Sequence, residues 1–195
     1  MQLFFKLLLI ACVSGSLFVT SFSLANANVT PKGINAIDSG YSVLKLLLED
    51  EQHLTVIRRT KMVLTFTRIN DTSTTIIDAI STSSEQSLGE LETLATKQPK
   101  ISFSDLSGET IASATLNSLR MATAKEFLFD GDNFEKDLLL SQLKVLPVII
   151  HLAEQLEEKE TNIDRKQWLN RLVGQYKEHY LLVNSRISIT ATDKS

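Results

Sequence analysis

Residues 137–154, which read Asp-Leu-Leu-Leu-Ser-Gln-Leu-Lys-Val-Leu-Pro-Val-Ile-Ile-His-Leu-Ala-Glu, constrain the fold of this chain more than any other stretch. Their apolar side chains leave a thin polar line of Ser141, Lys144, His151 and then Glu154 or Gln155. Those positions recur at helical steps and share one edge of a helix, while Leu139, Leu143, Leu146, Ile150 and Ala153 fill the opposite side. A bilayer span needs about 20 apolar residues, and Lys144 and His151 interrupt this run too early for one. An almost all-round apolar helix that does not cross a membrane is covered by neighbouring helices. The expected fold is therefore all-α, a single up-and-down bundle of four to five helices.

The N-terminus reads as a secretory signal peptide over residues 1–27. Lys6 is its positive end, the apolar core begins at Leu7, and Ala25-Asn26-Ala27 offers the small residues a signal peptidase accepts. Cleavage after Ala27 is expected, so the protein is read as exported, to the periplasm or beyond. Lipid attachment at Cys12 is the alternative, although it leaves a very short apolar core behind Lys6. An uncleaved anchor is weakened by Ser14, Gly15, Ser16, Thr20 and Ser21. Cys12 is the chain's one cysteine. Its loss with the signal would leave no disulfide, thiol nucleophile or thiolate metal site, so apolar burial has to hold the fold. Lys and Arg number 20 against 23 Asp and Glu, with no basic cluster, which argues against a nucleic-acid partner.

Residues 28–38 are expected as a leader and 39–187 as the bundle, with a polar, disordered tail over 188–195. Asp38 or Ser39 can cap a first helix that runs without Pro or Gly from Tyr41 to Ile69. Val43, Leu47, Leu54, Ile57 and Leu64 are its expected inward face; its far end also alternates in a strand-like way. A second helix follows the Asn70-Asp71 turn, with Ile77, Ile80, Leu88, Leu91 and Ala95 on one seam and Ser84 in the same register. It ends before Pro99, and Ile101, Phe103 and Leu106 are expected to tuck under the bundle. A third helix spans about 107–129. Gly131 stops it, and Asp132 with Glu135 forms a capping box for the central helix. Thr161 or Asn162 caps the last helix, whose inward stripe is Leu169, Leu172, Val173, Tyr176, Tyr180 and Val183 beside Trp168. Arg165, Lys166, Arg171, Lys177 and Glu178 are expected to face outward.

Candidate chemistry is sparse. The acidic loop 130–137 departs from a calcium loop, since Phe134 stands fifth, Glu135 sixth and Ser141 twelfth. His53, His151 and His179 lack the spacing of a helical zinc pair, and Asp50-Glu51-Gln52-His53 offers, once, only an Asp-x-x-His version of the Glu-x-x-His pattern of a di-iron bundle. No haem attachment motif, Gly-x-Ser-x-Gly or phosphate loop occurs in the sequence. No cofactor is expected. A small metal- or haem-binding bundle using His53, His151 or His179 is the alternative reading.

The one localised functional expectation concerns Pro147. Proline inside a helix removes a hydrogen bond and crowds the carbonyl four residues back, that of Leu143. Curvature around the core explains it structurally. The functional reading places Leu143, Lys144, Pro147 and His151 along a binding groove for a protein or peptide partner, in a non-catalytic protein that works by binding.

Overall fold

A computed structural model of the chain describes residues 36–66, 68–103 and 134–192. The expected signal peptide, most of the leader, the third helix and the 130–133 turn with Asp132 lie outside them, as does Leu106. All regular structure among the described residues is α-helical: α1 (Ala36–Gln52), α2 (Leu54–Thr65), α3 (Asp71–Ala95), α4 (Phe134–Lys159) and α5 (Ile163–Thr192).

Four helices form a closed ring in which α1 packs on α3 and α4, and α5 packs on the same two; α4 with α5 is the most extensive pair. Every adjacent pair is antiparallel, because the contacts step in opposite directions along the two chains. Across α3 and α5, Arg186 meets Ser73, His179 meets Ser83, Arg171 meets Glu90 and Lys97 meets Asp164. Helices α3 and α4 therefore run in the same direction, on opposite corners of the ring. The centre is a continuous cluster that includes Leu44, Leu48, Ile77, Ile80, Leu91, Leu138, Leu146, Ile149, Leu169 and Tyr176. Gly40 lets α1 approach α4 closely, since a Cβ there would lie 2.8 Å from Leu156 Cδ2.

The apolar face expected of residues 137–154 is the face that α4 buries: Leu139, Leu146, Ile150 and Ala153 are in the core, and Lys144 and His151 are exposed. The helix continues through Pro147 without a break. The α3 seam is buried throughout, Ser84 included, and Ile101 and Phe103 pack against the core. Asn70 caps α3 through its side chain, which accepts from Thr72 N–H, and Asn162 Oδ1 accepts from Arg165 N–H at the start of α5. The stripe on α5 is inward as expected, with Leu169, Leu172, Tyr176 and Val183 buried.

Four expectations are corrected. The single first helix is two, since His53 N–H bonds Asp50 O instead of the fourth carbonyl back, while the imidazole Nδ1 lies 2.5 Å from Glu49 O. The side chain takes the place of the backbone donor, and the helix restarts at Leu54. Beyond that break the inward face is not the expected one: Ile57 and Leu64 are exposed, whereas Arg58 and Lys61 are buried. Arg165 points into the bundle, 1 % exposed, because a carboxylate and two carbonyls await it there. The last helix persists to Thr192, so residues 188–192 of the expected tail are helical, with Ser188 Oγ bonding back to Asn184 O.

Candidate functional site

Backbone termini create the most densely bonded polar cluster among the described residues. Glu160 opens the turn after α4, and its Oε1 accepts the N–H groups of Thr161 and Asn162 at 2.8 and 2.7 Å. Arg165, one turn into α5, donates Nη2 to the same oxygen at 3.0 Å and Nε to Oε2 at 2.7 Å. Tyr41 of α1 donates its hydroxyl to Oε2 at 2.5 Å. The spare Arg165 Nη1 reaches the carbonyls of Lys97 and Leu94 at the end of α3. Burial opposes ionisation of Glu160, but the Arg165 and Tyr41 donors and the Asn162 amide outweigh it and hold the carboxyl at about 2. Burial, and the adjoining carboxylate after it, push the Tyr41 phenol far up. Three helix ends are thus fastened by a saturated ion pair. With its lone pairs and protons in use, the cluster is a structural clasp and has no spare group for chemistry.

A second clasp lies at the other end. Glu135 accepts from Asn70 N–H at 2.9 Å, Ser73 Oγ at 2.6 Å and Arg186 Nη2 at 3.1 Å, which tie α4 to the start of α3 and to α5. Burial raises its pKa, and these donors more than reverse the effect, leaving it below the ordinary carboxylate range. Glu135 thus crosses between helices, while its expected capping box with Asp132 lies outside the described residues.

Two buried groups are less well served. Glu51 of α1 is 4 % exposed, and its Oε2 has no hydrogen-bond partner; Gln142 of α4 reaches the same carboxyl, yet its own Oε1 is also unpartnered. Burial first, and Asp50 after it, push Glu51 up to about 8, so the interior holds a neutral carboxylic acid at pH 7. His179 lies 2.9 Å from Ser83 Oγ through Nε2, and Gln175 donates to the same hydroxyl at 2.9 Å. A serine beside an imidazole invites comparison with a nucleophile and its base. Here His179 Nδ1 is buried without the acceptor that would orient the ring, and burial lowers the imidazole pKa. The pair joins α3 to α5, as Ser84 does by bonding Tyr176 at 2.6 Å.

The residues of the expected groove are on one stretch of α4. Lys144 and His151 are exposed, as is Val148 between them, while Leu143 and Pro147 are half-buried. His151 Nδ1 lies 3.2 Å from Glu154 Oε2, and Glu154 also accepts from Lys177 of α5. Neither of two surface pockets involves these four residues. One, of about 620 Å³, lies between α3 and α5 beside Glu90, Asp164 and Arg171. The other, of about 270 Å³, is lined by Arg58, Met62, Arg68, Ile69, Asp71 and Thr74. His53, His151 and His179 stand apart, and no group of three or more His, Cys, Asp or Glu comes together as a metal site among the described residues.

The feature that periodicity alone misassigned is α2. Its inner face is polar: Arg58 Nη2 bonds both oxygens of Asp78 at 2.9 and 3.0 Å, Thr55 adds a third bond to Asp78 at 2.7 Å, and Lys61 Nζ lies 5.6 Å from the Phe134 ring centre. Its outer face carries Val56 at 52 % exposure, Val63 at 69 % and Leu64 at 67 %, with Ile57 at the edge. Phe66 closes the helix at φ 55° and is 90 % exposed. A left-handed conformation costs a residue with a side chain about 1–2 kcal/mol, which makes Phe66 an unusual choice for this cap. The sequence signal was present in the Arg58-Arg59-Thr60-Lys61 interruption of the apolar pattern. Which face it opposed depended on Asp78, 20 residues away.

No protein-family model, no curated protein and no solved structure matches this chain.

Proposed function

We propose that this chain is an exported, non-catalytic protein that acts by binding, through the outer face of α2. One observation carries the reading: α2 turns Arg58 and Lys61 inward and Val56, Val63 and Leu64 outward. A contiguous exposed apolar face rimmed by polar residues is a feature of interaction surfaces. The polar groups of the interior support the same reading, since Glu160, Arg165, Tyr41 and Glu135 are taken up by holding helix ends together. Export rests on residues 1–27, with Asn28 as the mature N-terminus. The α4 edge of Leu143, Lys144, Pro147 and His151 is the second candidate surface, favoured by the exposed Lys144, Val148 and His151.

Site-specific photo-crosslinking separates the two faces. A crosslinking side chain at Val63 is expected to capture a partner from the native compartment, whereas one at Lys144 captures none. The same preparation, analysed by mass spectrometry, should begin at Asn28. Crosslinks from Lys144 alone would move the binding surface to α4, and an intact Met1 would overturn export by cleavage.

A further inference from the structure

We infer that the outer face of α2 docks on an anionic lipid surface, lying in the plane of the interface without crossing it. This rests on the binding role given to that face above and names its partner. Viewed down α2, Val63, Val56, Thr60, Leu64 and Ile57 follow one another around the exposed side, so the apolar residues share one face with a small hydroxyl among them. Arg59 is exposed at one edge of that face, and Arg68 is exposed just past the end of the helix. Residues 54–70 contain Arg58, Arg59, Lys61 and Arg68 and no Asp or Glu, in a chain whose formal net charge is −3. Arg58 is taken up by Asp78 and Lys61 is buried, so the exposed charges of this stretch are Arg59 and Arg68, both cationic on a chain that is negative overall. A helix with an apolar face and cationic flanks is the form that binds the boundary between headgroups and acyl chains. Phe66 suits the same role, since an aromatic ring at such a depth adds apolar contact, and here it projects into solvent at the cost of a left-handed backbone.

Charge complementarity decides among occupants. A second copy related by a two-fold axis would set this stretch against itself, with no carboxylate in 54–70 to meet Arg59 and Arg68. A protein partner would need an apolar groove bordered by acids at matching positions. A bilayer containing anionic lipid presents that order everywhere, with phosphates above an apolar layer. No helix among the described residues is long and apolar enough to cross a membrane, so the association is peripheral.

The test uses the full mature chain and sedimentation with vesicles of phosphatidylglycerol and phosphatidylcholine, against vesicles of phosphatidylcholine alone. Binding is expected to the first and not the second, and to weaken as salt screens the charges. Val63→Glu with Leu64→Glu should abolish it, and Arg59→Gln with Arg68→Gln should weaken it about tenfold or more, given the contribution of each cation near such a surface. Phe66→Gly should weaken it while leaving the melting temperature equal or higher, because glycine relieves the left-handed cap. Equal binding to neutral vesicles, or none to either, overturns the lipid inference; a crosslinked protein partner at Val63 would then leave the binding role standing. A lower melting temperature in Val63→Glu with Leu64→Glu would show the face covered by the chain itself, and would sink both readings.

Discussion

Glu160 and Glu51 are both buried carboxyls in one bundle, and the fold treats them in opposite ways. Glu160 sits where the chain turns, so free amides, a guanidinium and a phenol converge on it and hold it ionised at about 2. Glu51 lies in the last turn of α1, where backbone amides are spent inside the helix and the groups left over are carbonyls, with only Gln142 reaching it from α4. It rises to about 8. The contrast teaches that burial alone does not decide the state of a carboxyl. What decides is whether the local backbone has donors left, and the start of a helix does while its last turn does not.

The harshest version of Glu51's situation is a carboxylate with no partner at all. Leu146→Asp creates one at a fully buried position, and is expected to cost about 4–5 kcal/mol or more, enough to remove the helical circular dichroism signal. A variant that melts like the parent would place Leu146 outside the core. Next in size is Arg165→Met, which leaves Glu160 buried without its cation. About 3–5 kcal/mol should be lost in denaturant unfolding, and loss under 1 kcal/mol would show that the Thr161, Asn162 and Tyr41 donors suffice alone.

Smaller and pH-dependent is the effect of Glu51. The folded protein keeps a proton on it where the unfolded chain, with an ordinary value near 4.5, has released it. Stability from this group is therefore fully present below about 4.5 and declines as pH rises through 8. Asp50 adds to the penalty, and the Tyr176 phenol faces the same carboxyl from α5. Glu160 works in the other sense, its contribution being present above 4.5 and lost as pH falls through 2. Glu51→Gln should raise stability by roughly 2–4 kcal/mol at pH 9 and leave it nearly unchanged at pH 4, as read from urea midpoints. An equal effect at both values would remove titration as the cause.

Much of the bundle was legible from the residues. The faces of α3, α4 and α5 follow from apolar spacing, because a helix with more apolar side chains than one stripe needs has a single way to hide them. Ser84 was placed inside for the same reason, and its hydroxyl is satisfied locally by Ile80 O as well as by Tyr176. The cap at Asn162 was legible too, since short polar side chains beside free amides act within a few residues.

What spacing did not determine was which charges go inside. Arg165 has the local pattern of a solvent-facing residue, and only the meeting of the α3 carbonyls with Glu160 makes its burial favourable. Arg58 turns inward because Asp78 of α3 is there to receive it, and that rotation of α2 about its axis puts Val56, Val63 and Leu64 in solvent. The sequence by itself determined the helices and the apolar interior, since both arise from interactions within a few residues or from an unspecific drive to bury apolar surface. The tertiary structure alone decided the buried ion pairs and the outward apolar face. A charge can leave water only where partners from distant segments converge on it, and no window along the chain contains them.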